Sequence, residues 1–420
     1  MKNAKKIAVI GGGPAGMIAA GIAAESGCCV HLFEKNEKLG KKLYITGKGR
    51  CNITNAVPKD LYLESIVSNP KFLYSAINRF DCFDAIEFFE SLGVKTKTER
   101  GNRVFPVSDK AEDVVSALER YIRKSGVKIN LSSPVKEIIV SEEKAVTGVL
   151  LSNCQKFDCN SVIVATGGLS YPGTGSTGDG YSFAEKTGHS ITKLYPSLVP
   201  LISDDSFIHE LQGLSLKNVG VTVFASGKTI YKDFGELLFT HFGLSGPTIL
   251  SASSYLHGRY EENPIISIDL KPAMSADELD KRLLRDFEKY TNKDFTNALY
   301  DLLPKKMIPV IISRAGINHQ KKVCNITKTE RKILVGLLKA FTCSIKGVSG
   351  FNNAVITKGG VSVKDIDAKT MKSKLVSGLY FAGEVIDVDG YTGGFNLQIS
   401  FSTGYLAGKN VCIGLHAKGD

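Results

Sequence analysis

A glycine-rich loop near the N-terminus constrains the fold of this chain more than any other feature. Residues 5–10, KKIAVI, form an apolar run typical of a buried strand, and they lead directly into GGGPAG at 11–16. A helix rich in small apolar residues is expected next, and a second apolar run at 29–33 then ends in Glu34. This order of strand, GxGxxG loop, helix and acid-ended strand is typical of the βαβ unit that binds dinucleotides.

Each part of this unit has a separate task. Gly11 permits the tight turn, Gly13 lacks a Cβ that would hold a pyrophosphate away, and Gly16 lets helix and strand pack closely. The free N–H groups of the helix start face the phosphates, and Glu34 is placed to accept hydrogen bonds from ribose hydroxyls. A second GxGxxG match at 173–178 has no apolar strand directly before it and no acid-ended strand after it, so we do not interpret it as a second dinucleotide site.

Length and composition favour a soluble enzyme. With 420 residues, 43% of them apolar, the chain is long enough for two or three compact units. Its apolar runs are shorter than the roughly 18 residues of a membrane span, and the start MKNAKK leads into a strand and not a signal peptide. The nine cysteines include no CxxC pair and no metal-binding spacing, which favours free thiols. We therefore expect a cytoplasmic protein with no metal and no membrane partner.

The net charge of +11 is concentrated in one segment. Between residues 305 and 346 the sequence holds ten Lys or Arg residues and a single acid, Glu330. Aromatic residues that could stack on bases are nearly absent there, so a solvated helical surface is the better interpretation and a nucleic-acid partner is not expected.

Periodicity along the chain predicts a cofactor domain interrupted by an insertion. Helical spacing of apolar residues over 71–93 indicates a core-facing helix, and a buried strand ends near Val164. After residue 190 the sequence turns to short β-like runs and then to helices with charged faces, and strand signals return after residue 350. The predicted parts are a first cofactor part at 1–190, an inserted β-rich domain at 191–270, an inserted helical basic segment at 271–345, and a second cofactor part at 346–420.

Three further glycine-rich loops are expected at the carboxyl ends of the sheet, where open α/β folds bind ligands. The first is TGKGRCN at 46–52, and the second is Ala165-Thr166-Gly167 after the buried strand. The third runs from Gly383 to Asp387 and continues through GYTGGFNLQ into a helix that starts at Gly394. A helix N-terminus carries partial positive charge, so this helix would direct that charge at whatever lies before it.

Together these motifs resemble a known family. The segments GGGPAG with Glu34, KLYITGKGRCNITN, VIVATGG, FTHFGLSGP and GLYFAGEVIDVDGYTGGFNLQISFSTG are similar to bacterial and archaeal flavoproteins described as NAD(P)/FAD-dependent or aminoacetone-oxidase-family oxidoreductases. The likeness spans about residues 5–411, and Lys48 stands where the family usually has glycine. It implies an α/β fold class, with a glutathione-reductase-like, Rossmann-type FAD-binding domain interrupted by an inserted β-rich and helical domain.

By this resemblance the cofactor is FAD. Its adenosine and pyrophosphate would be held by Gly11, Gly13, Pro14, Ala15, Gly16, Glu34 and Lys35, with Val135 at the adenine. Its ring would lie near Arg50, Cys51, Asn52, Gly394, Phe395, Asn396 and Leu397, while its ribityl chain and pyrophosphate would meet Gly383, Glu384 and Asp387. The remaining loop positions expected to contact it are Thr46, Gly47, Ala165, Thr166 and Gly167.

Physical reasoning from the residues also favours FAD over NAD. A nicotinamide must leave after each turnover, whereas a flavin can be held by loops from the whole chain, as expected here. The helix at Gly394 would stabilise the negative charge that develops on the flavin ring when it takes a hydride. NAD(P)H as a transient electron donor stays open, and so does O₂ as electron partner.

We expect an FAD-dependent oxidoreductase that exchanges a hydride with a small organic substrate, by amine oxidation or by reduction of a C=C bond or enone. The insertion would serve as lid, with His241 as acid/base candidate and Cys51 as a second catalytic candidate. A flavin-dependent RNA-modifying enzyme using segment 305–346 is one alternative, and a non-enzymatic flavin-binding protein is another. The sequence does not assign the substrate, the reaction direction or the oligomeric state.

Overall fold

A computed structural model describes residues 4–413 of the chain. The structure does not describe residues 1–3 and 414–420. The expectations that fall on them, the outer bounds of the cofactor domain and a start without a signal peptide, lie outside the described residues. The chain divides into two compact units, the first formed by residues up to 197 and from 351 onward, the second by 198–350. The expected bounds at 190 and 345 are each a few residues early, because 195–197 form a strand paired with 356–358, and 347–348 pair with 201–202.

The α-helices range from one turn to five turns in length. None of those in the described part of the chain is long and apolar enough to span a bilayer. Their bounds are α1 Pro14–Glu25, α2 Lys41–Ile45, α3 Lys59–Glu64, α4 Tyr74–Arg79, α5 Cys82–Ser91, α6 Ala111–Lys124, α7 Asp179–Lys186, α8 Phe207–Leu211, α9 Pro247–Ser253, α10 Ala276–Lys289, α11 Phe295–Ala298, α12 Met307–Ala315, α13 Lys328–Lys339 and α14 Phe395–Val411.

The strands are short in the first unit and longer in the second. Their bounds are β1 Lys6–Ile10, β2 Cys29–Phe33, β3 Thr54–Asn55, β4 Ile66–Ser68, β5 Thr96–Glu99, β6 Arg103–Pro106, β7 Lys128–Asn130, β8 Val135–Val140, β9 Val146–Leu151, β10 Lys156–Asp158, β11 Ser161–Val164, β12 Tyr195–Ser197, β13 Leu201–Ile202, β14 Ser215–Ala225, β15 Lys228–Phe239, β16 Gly243–Ser245, β17 Ile265–Asp269, β18 Phe341–Ser344, β19 Gly347–Val348, β20 Ile356–Lys358, β21 Leu379–Phe381 and β22 Asp389–Gly390.

The central sheet of the first unit is parallel throughout. Its strand order is β21-β11-β1-β2-β7, with Ile10 of β1 level with Val164 of β11 and with Phe33 of β2. Parallel strands place their carboxyl ends at one edge, so the loops that follow β1, β2, β11 and β21 meet there. The predicted α/β fold class with a Rossmann-type domain is confirmed.

Small residues let α1 pack directly against α14. A Cβ on Gly404 would stand 2.5 Å from the carbonyl oxygen of Ala15, and one on Gly408 would stand 2.6 Å from that of Ala19. The alanines and glycines of α1 therefore serve close helix contact, and the C-terminal helix lies against the N-terminal one. The helix predicted to begin at Gly394 and to end near Cys412 is confirmed, with these residues as its two caps.

The helix predicted over 71–93 is two helices, so that prediction is wrong. α4 ends at Arg79 and α5 begins at Cys82, because the Asp81 carboxylate accepts hydrogen bonds from the N–H groups of Phe83 and Asp84. This capping box starts a new helix inside the apolar stripe. Phe83 is 54% exposed as a result of the change in direction.

The second unit is built on an antiparallel sheet of order β18-β17-β14-β15-β16-β13-β19. Its helices α8 to α13 belong to the same compact unit, so the β-rich and helical parts expected as two insertions form one. The motif FTHFGLSGP forms the turn between β15 and β16, where Thr240 N–H donates to the Gly243 carbonyl at 2.8 Å. A Cβ on Gly243 would stand 2.0 Å from the Leu201 carbonyl oxygen, so glycine is required there.

One expectation about the cysteines is wrong. Cys28, just after α1, and Cys412, just after α14, form a disulfide across 384 residues of sequence, with their Cα atoms 6.4 Å apart. The parallel alignment of α1 and α14 brings their C-terminal ends together, and this contact has no signature in the cysteine spacing.

The contact between α1 and α14 predicts opposite effects for two glycine-to-alanine changes. Gly404→Ala should lower the free energy of unfolding by about 1–3 kcal/mol, because its methyl group overlaps the Ala15 backbone. Gly336→Ala, in the exposed middle of α13 with open space around a Cβ, should raise it by about 0.5–1 kcal/mol through helix propensity. Chemical denaturation of both variants checks this, and a neutral Gly404→Ala would contradict the close packing.

Candidate functional site

A large cleft lies at the carboxyl edge of the parallel sheet. Its empty volume is about 1300 Å³, including space open to solvent, and its lining residues belong to the first unit. Open α/β sheets bind their ligands at this edge, so the cleft is the candidate dinucleotide site. The predicted site residues that line it are Gly11, Gly13, Pro14, Ala15, Glu34, Lys35, Thr46, Val135, Ala165, Thr166, Gly167, Glu384, Asn396 and Leu397.

The three fingerprint glycines have different surroundings. A Cβ on Gly11 would stand 2.4 Å from the Ala165 carbonyl oxygen, and one on Gly16 would stand 1.9 Å from that of Gly11. Both glycines are therefore required by the fold. A Cβ on Gly13 would meet nothing within 4 Å, and its backbone is extended with φ −80°. The space beside Gly13 is open to the cleft, which fits a pyrophosphate at the N-terminus of α1.

Glu34 is fixed by the protein before any ligand binds. Its Oε2 accepts from Gly12 N–H at 2.7 Å, and its Oε1 accepts from the backbone and side-chain N–H groups of Asn36 at 2.8 and 2.7 Å. The side chain is 8% exposed and lines the cleft. A carboxylate offers about four acceptor sites, so the three donors leave capacity for a ribose hydroxyl.

The second glycine-rich match forms a wall of the same cleft. Gly175 and Asp179 line it, and Asp179 pairs with Lys35 at 2.7 Å. The carbonyl of Thr174 accepts from the Asn36 side chain at 3.1 Å, which ties this loop to the end of β2. The match at 173–178 is thus part of the first site and not a separate one.

A charged pair that the sequence analysis did not identify also lines the cleft. Lys42 donates to Glu384 Oε2 at 2.7 Å and to Ser170 Oγ at 2.6 Å, and Glu384 Oε1 accepts from Thr357 N–H at 2.9 Å. Four distant segments meet in this network. The partners in this network are far apart in the sequence, so residue spacing does not predict it. Lys42 is 128 residues from Ser170 and 342 from Glu384, and Thr357 is 27 residues from Glu384.

The loop at 46–52 contributes less to the cleft than expected. Thr46 lines it, but Arg50 is held by Asp109 at 2.6 Å and by Glu99, and its guanidinium lies 4.1 Å from the centre of the Phe105 ring. Cys51 is fully buried, and burial raises the pKa of its thiol to about 12. Burial disfavours the thiolate form that acts as a nucleophile, and a catalytic role for Cys51 stays a prediction.

The start of α14 contributes some expected contact residues to the lining of the cleft and leaves others outside it. Gly394 caps α14 with φ 102°, and a Cβ there would stand 2.4 Å from the Thr54 backbone. The Asn396 side chain, which lines the cleft, accepts from Gly390 N–H at 3.0 Å and donates to its carbonyl at 2.9 Å. The predicted site residues outside the lining are Gly16, Gly47, Arg50, Cys51, Asn52, Gly383, Asp387, Gly394 and Phe395.

His241, the other catalytic candidate, belongs to the second unit and does not line the cleft. It is exposed in the turn between β15 and β16, with its ring centre 4.8 Å from that of Phe242. Its role stays a prediction. The described residues contain no group of three or more His, Cys, Asp or Glu side chains that could hold a metal ion.

Comparison with known proteins gives full-length matches. The family described as HI0933-like protein Rossmann domain matches residues 5–410. The ribosomal RNA dihydrouridine synthase of Haemophilus influenzae is 36% identical over 96% of this chain and 97% of that protein. The 3-dehydro-bile acid delta(4,6)-reductase of Clostridium scindens is 32% identical over 96% of this chain and 98% of that protein. The structure of 3-ketosteroid-delta4-(5alpha)-dehydrogenase from Rhodococcus jostii RHA1 has a TM-score of 0.55 at 14% identity, covering 97% of each chain, which is a likeness of fold alone.

The surroundings of the glycines predict different outcomes for two valine variants. Gly13→Val should fold with unchanged thermal stability of the cofactor-free protein but purify without flavin, because its side chain enters space that only a ligand would fill. Gly16→Val should fail to fold stably, because its Cβ overlaps the Gly11 carbonyl. Flavin absorption and thermal unfolding measure both effects, and a fully loaded Gly13→Val protein would show that the loop is structural.

Proposed function

Because the chain belongs to the HI0933-like family of Rossmann-domain proteins, we propose that it reduces a C=C bond conjugated to a carbonyl group. At the coarser level the chain is an FAD-dependent oxidoreductase, as the sequence predicted. The finer statement concerns the bond that receives the hydride.

The chemistry shared by two full-length relatives carries this proposal. Dihydrouridine is uridine with its C5–C6 double bond saturated, and that bond is conjugated to the C4 carbonyl. A delta(4,6)-reductase acting on a 3-dehydro bile acid saturates double bonds conjugated to the C3 carbonyl. The two named activities therefore differ in substrate but share the acceptor, a polarised C=C bond, and both relatives cover 96% of this chain. Of the two reactions expected from the sequence, reduction is favoured over amine oxidation.

The residues of the cleft fit FAD. Gly13 leaves room for a pyrophosphate, Glu34 accepts from a ribose, and the first turn of α14 presents Asn396 and Leu397 to the cleft. FAD, when bound, supplies hydride chemistry at its ring. The start of α14 would stabilise negative charge on that ring through its unpaired N–H groups. The Asn396 side chain holds this helix start against the preceding loop, so it positions those donors.

Ion pairs neutralise part of the basic segment 305–346, which argues against its use as a nucleic-acid surface. Four of its ten cations form ion pairs within the second unit, which are Lys321 with Glu330, Lys322 with Asp294, Arg331 with Asp280 and Lys339 with Asp269. Residues 198–350 together hold 20 Lys or Arg and 16 Asp or Glu, a net charge of +4, so acids elsewhere in this unit offset much of the segment. We therefore keep a small conjugated carbonyl compound as the proposed substrate.

Uridine in ribosomal RNA is the second candidate substrate. The observation that favours it is the 36% identity with the Haemophilus influenzae dihydrouridine synthase over nearly the full length of both chains. Exposed cations of the segment, Lys305, Lys328, Lys332 and Lys346, would be available to phosphates. Binding through them would weaken steeply with salt, by a logarithmic slope of about −0.7 per neutralised phosphate on a single strand.

One anaerobic experiment tests the proposed reaction. The protein is reduced with NADH, NADPH or dithionite, then mixed with a 4-en-3-one steroid, a 4,6-dien-3-one steroid or a ribosomal RNA transcript, and return of the flavin absorption is followed. We expect reoxidation by a conjugated ketone at least tenfold faster than by the matched saturated ketone. If dithionite reduces the flavin and neither NADH nor NADPH does, the nicotinamides are excluded as electron donors.

The arms of this experiment have distinct outcomes. Reoxidation by the RNA alone, with dihydrouridine detected by mass spectrometry, would establish the second candidate. No reoxidation by any conjugated acceptor, followed by reoxidation when air is admitted, would contradict the proposed reaction.

A further inference from the structure

A buried carboxyl group without a hydrogen-bond donor lies behind the wall of the cleft. Asp389 in β22 is fully buried, and neither of its carboxylate oxygens has a hydrogen-bond partner. The nearest cation, the Lys358 ammonium, stands 3.6 Å from Oδ1, beyond hydrogen-bond distance. An ionised carboxylate in such a place carries a desolvation cost of several kcal/mol, so this group needs an explanation.

The neighbours of Asp389 in sequence belong to the cleft. Val388 lines it, and Gly390 is held through both its N–H and its carbonyl by the side chain of Asn396, which also lines it. Lys358 follows Thr357, another lining residue. Asp389 and Lys358 are each next in sequence to a lining residue, although neither of them lines the cleft itself.

Few polar groups surround Asp389. The Lys358 ammonium donates to Ser68 Oγ at 2.9 Å, and the Lys358 side chain is 22% exposed. Asp387 on the same segment accepts from the Asn69 side chain at its backbone oxygen, at 2.7 Å, and at Oδ2, at 3.2 Å. Burial raises the pKa of Asp389 above its usual range, and Lys358 and Ser68 lower it by less than that, while Asp387 adds to the rise.

The titratable side chains that do line the cleft are already engaged. Lys35 pairs with Asp179, Lys42 pairs with Glu384, and Lys41 pairs with Glu37 at 3.1 Å. Glu34 accepts three hydrogen bonds from the protein. Asp389 differs from these acids, because its neighbours are the Lys358 ammonium at 3.6 Å and the Ser68 hydroxyl, and both of its carboxylate oxygens lack a hydrogen bond of ordinary length.

We propose that Asp389 stores the proton that reduction of the substrate consumes and hands it to Lys358, which delivers it. Asp389 acts through Lys358 and does not touch the substrate, so it is a positioning residue. This inference rests on the proposed function. Saturation of the double bond adds a hydride at the β-carbon, which bound FAD would supply, and a proton at the α-carbon, because the electron pair of the double bond moves toward the carbonyl and back. Lys358 passes that proton forward and takes one from the Asp389 carboxyl, which becomes a carboxylate beside the ammonium. Solvent at the exposed side of Lys358 restores the acid.

The first test measures stability and needs no turnover. A carboxyl with a raised pKa in the folded state loses stability as the pH rises through that pKa, because only the unfolded state ionises without cost. Asp389→Asn cannot ionise, so its free energy of unfolding should gain on that of the wild type as the pH rises above about 4, the ordinary aspartate pKa, until the raised pKa of the folded state is passed. Asp158→Asn, which changes an exposed carboxylate of the same unit, is the matched control for an aspartate-to-asparagine change. A pH-independent difference for Asp389→Asn would overturn the stored proton.

The second test follows the reduced, FAD-loaded protein with the 4-en-3-one steroid and the RNA transcript used above. Asp389→Asn should be reduced by dithionite as fast as the wild type, but its reoxidation by the substrate should be at least tenfold slower and should lose the pH dependence of the wild type. Lys358→Met should slow the same step. Wild type that responds to no acceptor would refute the proposed function, whereas an Asp389→Asn protein with wild-type rate and pH profile would refute the role of Asp389 alone.

Discussion

The close contact between α1 and α14 is the constraint on which the rest of the first unit depends. Glycines at 404 and 408 let the C-terminal helix approach the backbone of the N-terminal one, and no side chain fits in that space. Both helices then begin at the cleft, α1 beside Gly13 and α14 at Asn396. Two positive helix ends from opposite ends of the chain thus open onto one cleft, although α1 ends at residue 25, α14 begins at residue 395, and the whole second unit, 198–350, lies between them in sequence.

The electrostatics of the cleft follow from this arrangement. The cations that line it are paired, Lys35 with Asp179, Lys41 with Glu37 and Lys42 with Glu384. The protein therefore offers an anionic ligand backbone N–H groups and helix ends more than unpaired side-chain charge. Such donors are fixed by the fold and need no rearrangement when charge develops on a bound ligand, which suits a cofactor whose charge changes during reaction.

Features with a local cause could be predicted from the sequence. The βαβ unit, the helix that begins after Gly394 and the different tasks of the fingerprint glycines depend on residues close together in the chain. The break between α4 and α5 also had a local signal, since Asp81 and Asp84 form a capping box, but the apolar stripe across it suggested one helix.

Features that depend on distant partners could not be predicted. Arg50 was expected near the cofactor by resemblance to the family; its ion pairs with Glu99 and Asp109 had no signal in the sequence, and its role stays a prediction. Lys42 and Asp389 lie inside motifs that resemble the family's, but those motifs do not indicate the partners that the fold places beside the two side chains. The pairing of Cys28 with Cys412 is likewise a product of helix packing.

The central claim is that the two ends of the chain share one FAD site. The direct measurement is hydrogen exchange followed by mass spectrometry, comparing the protein stripped of flavin with the same protein reconstituted with FAD. The account predicts that FAD slows exchange of the backbone amides at 11–15 and at 396–400 together and at the same FAD concentration. Protection confined to the N-terminal loop, with the start of α14 unchanged, would contradict it.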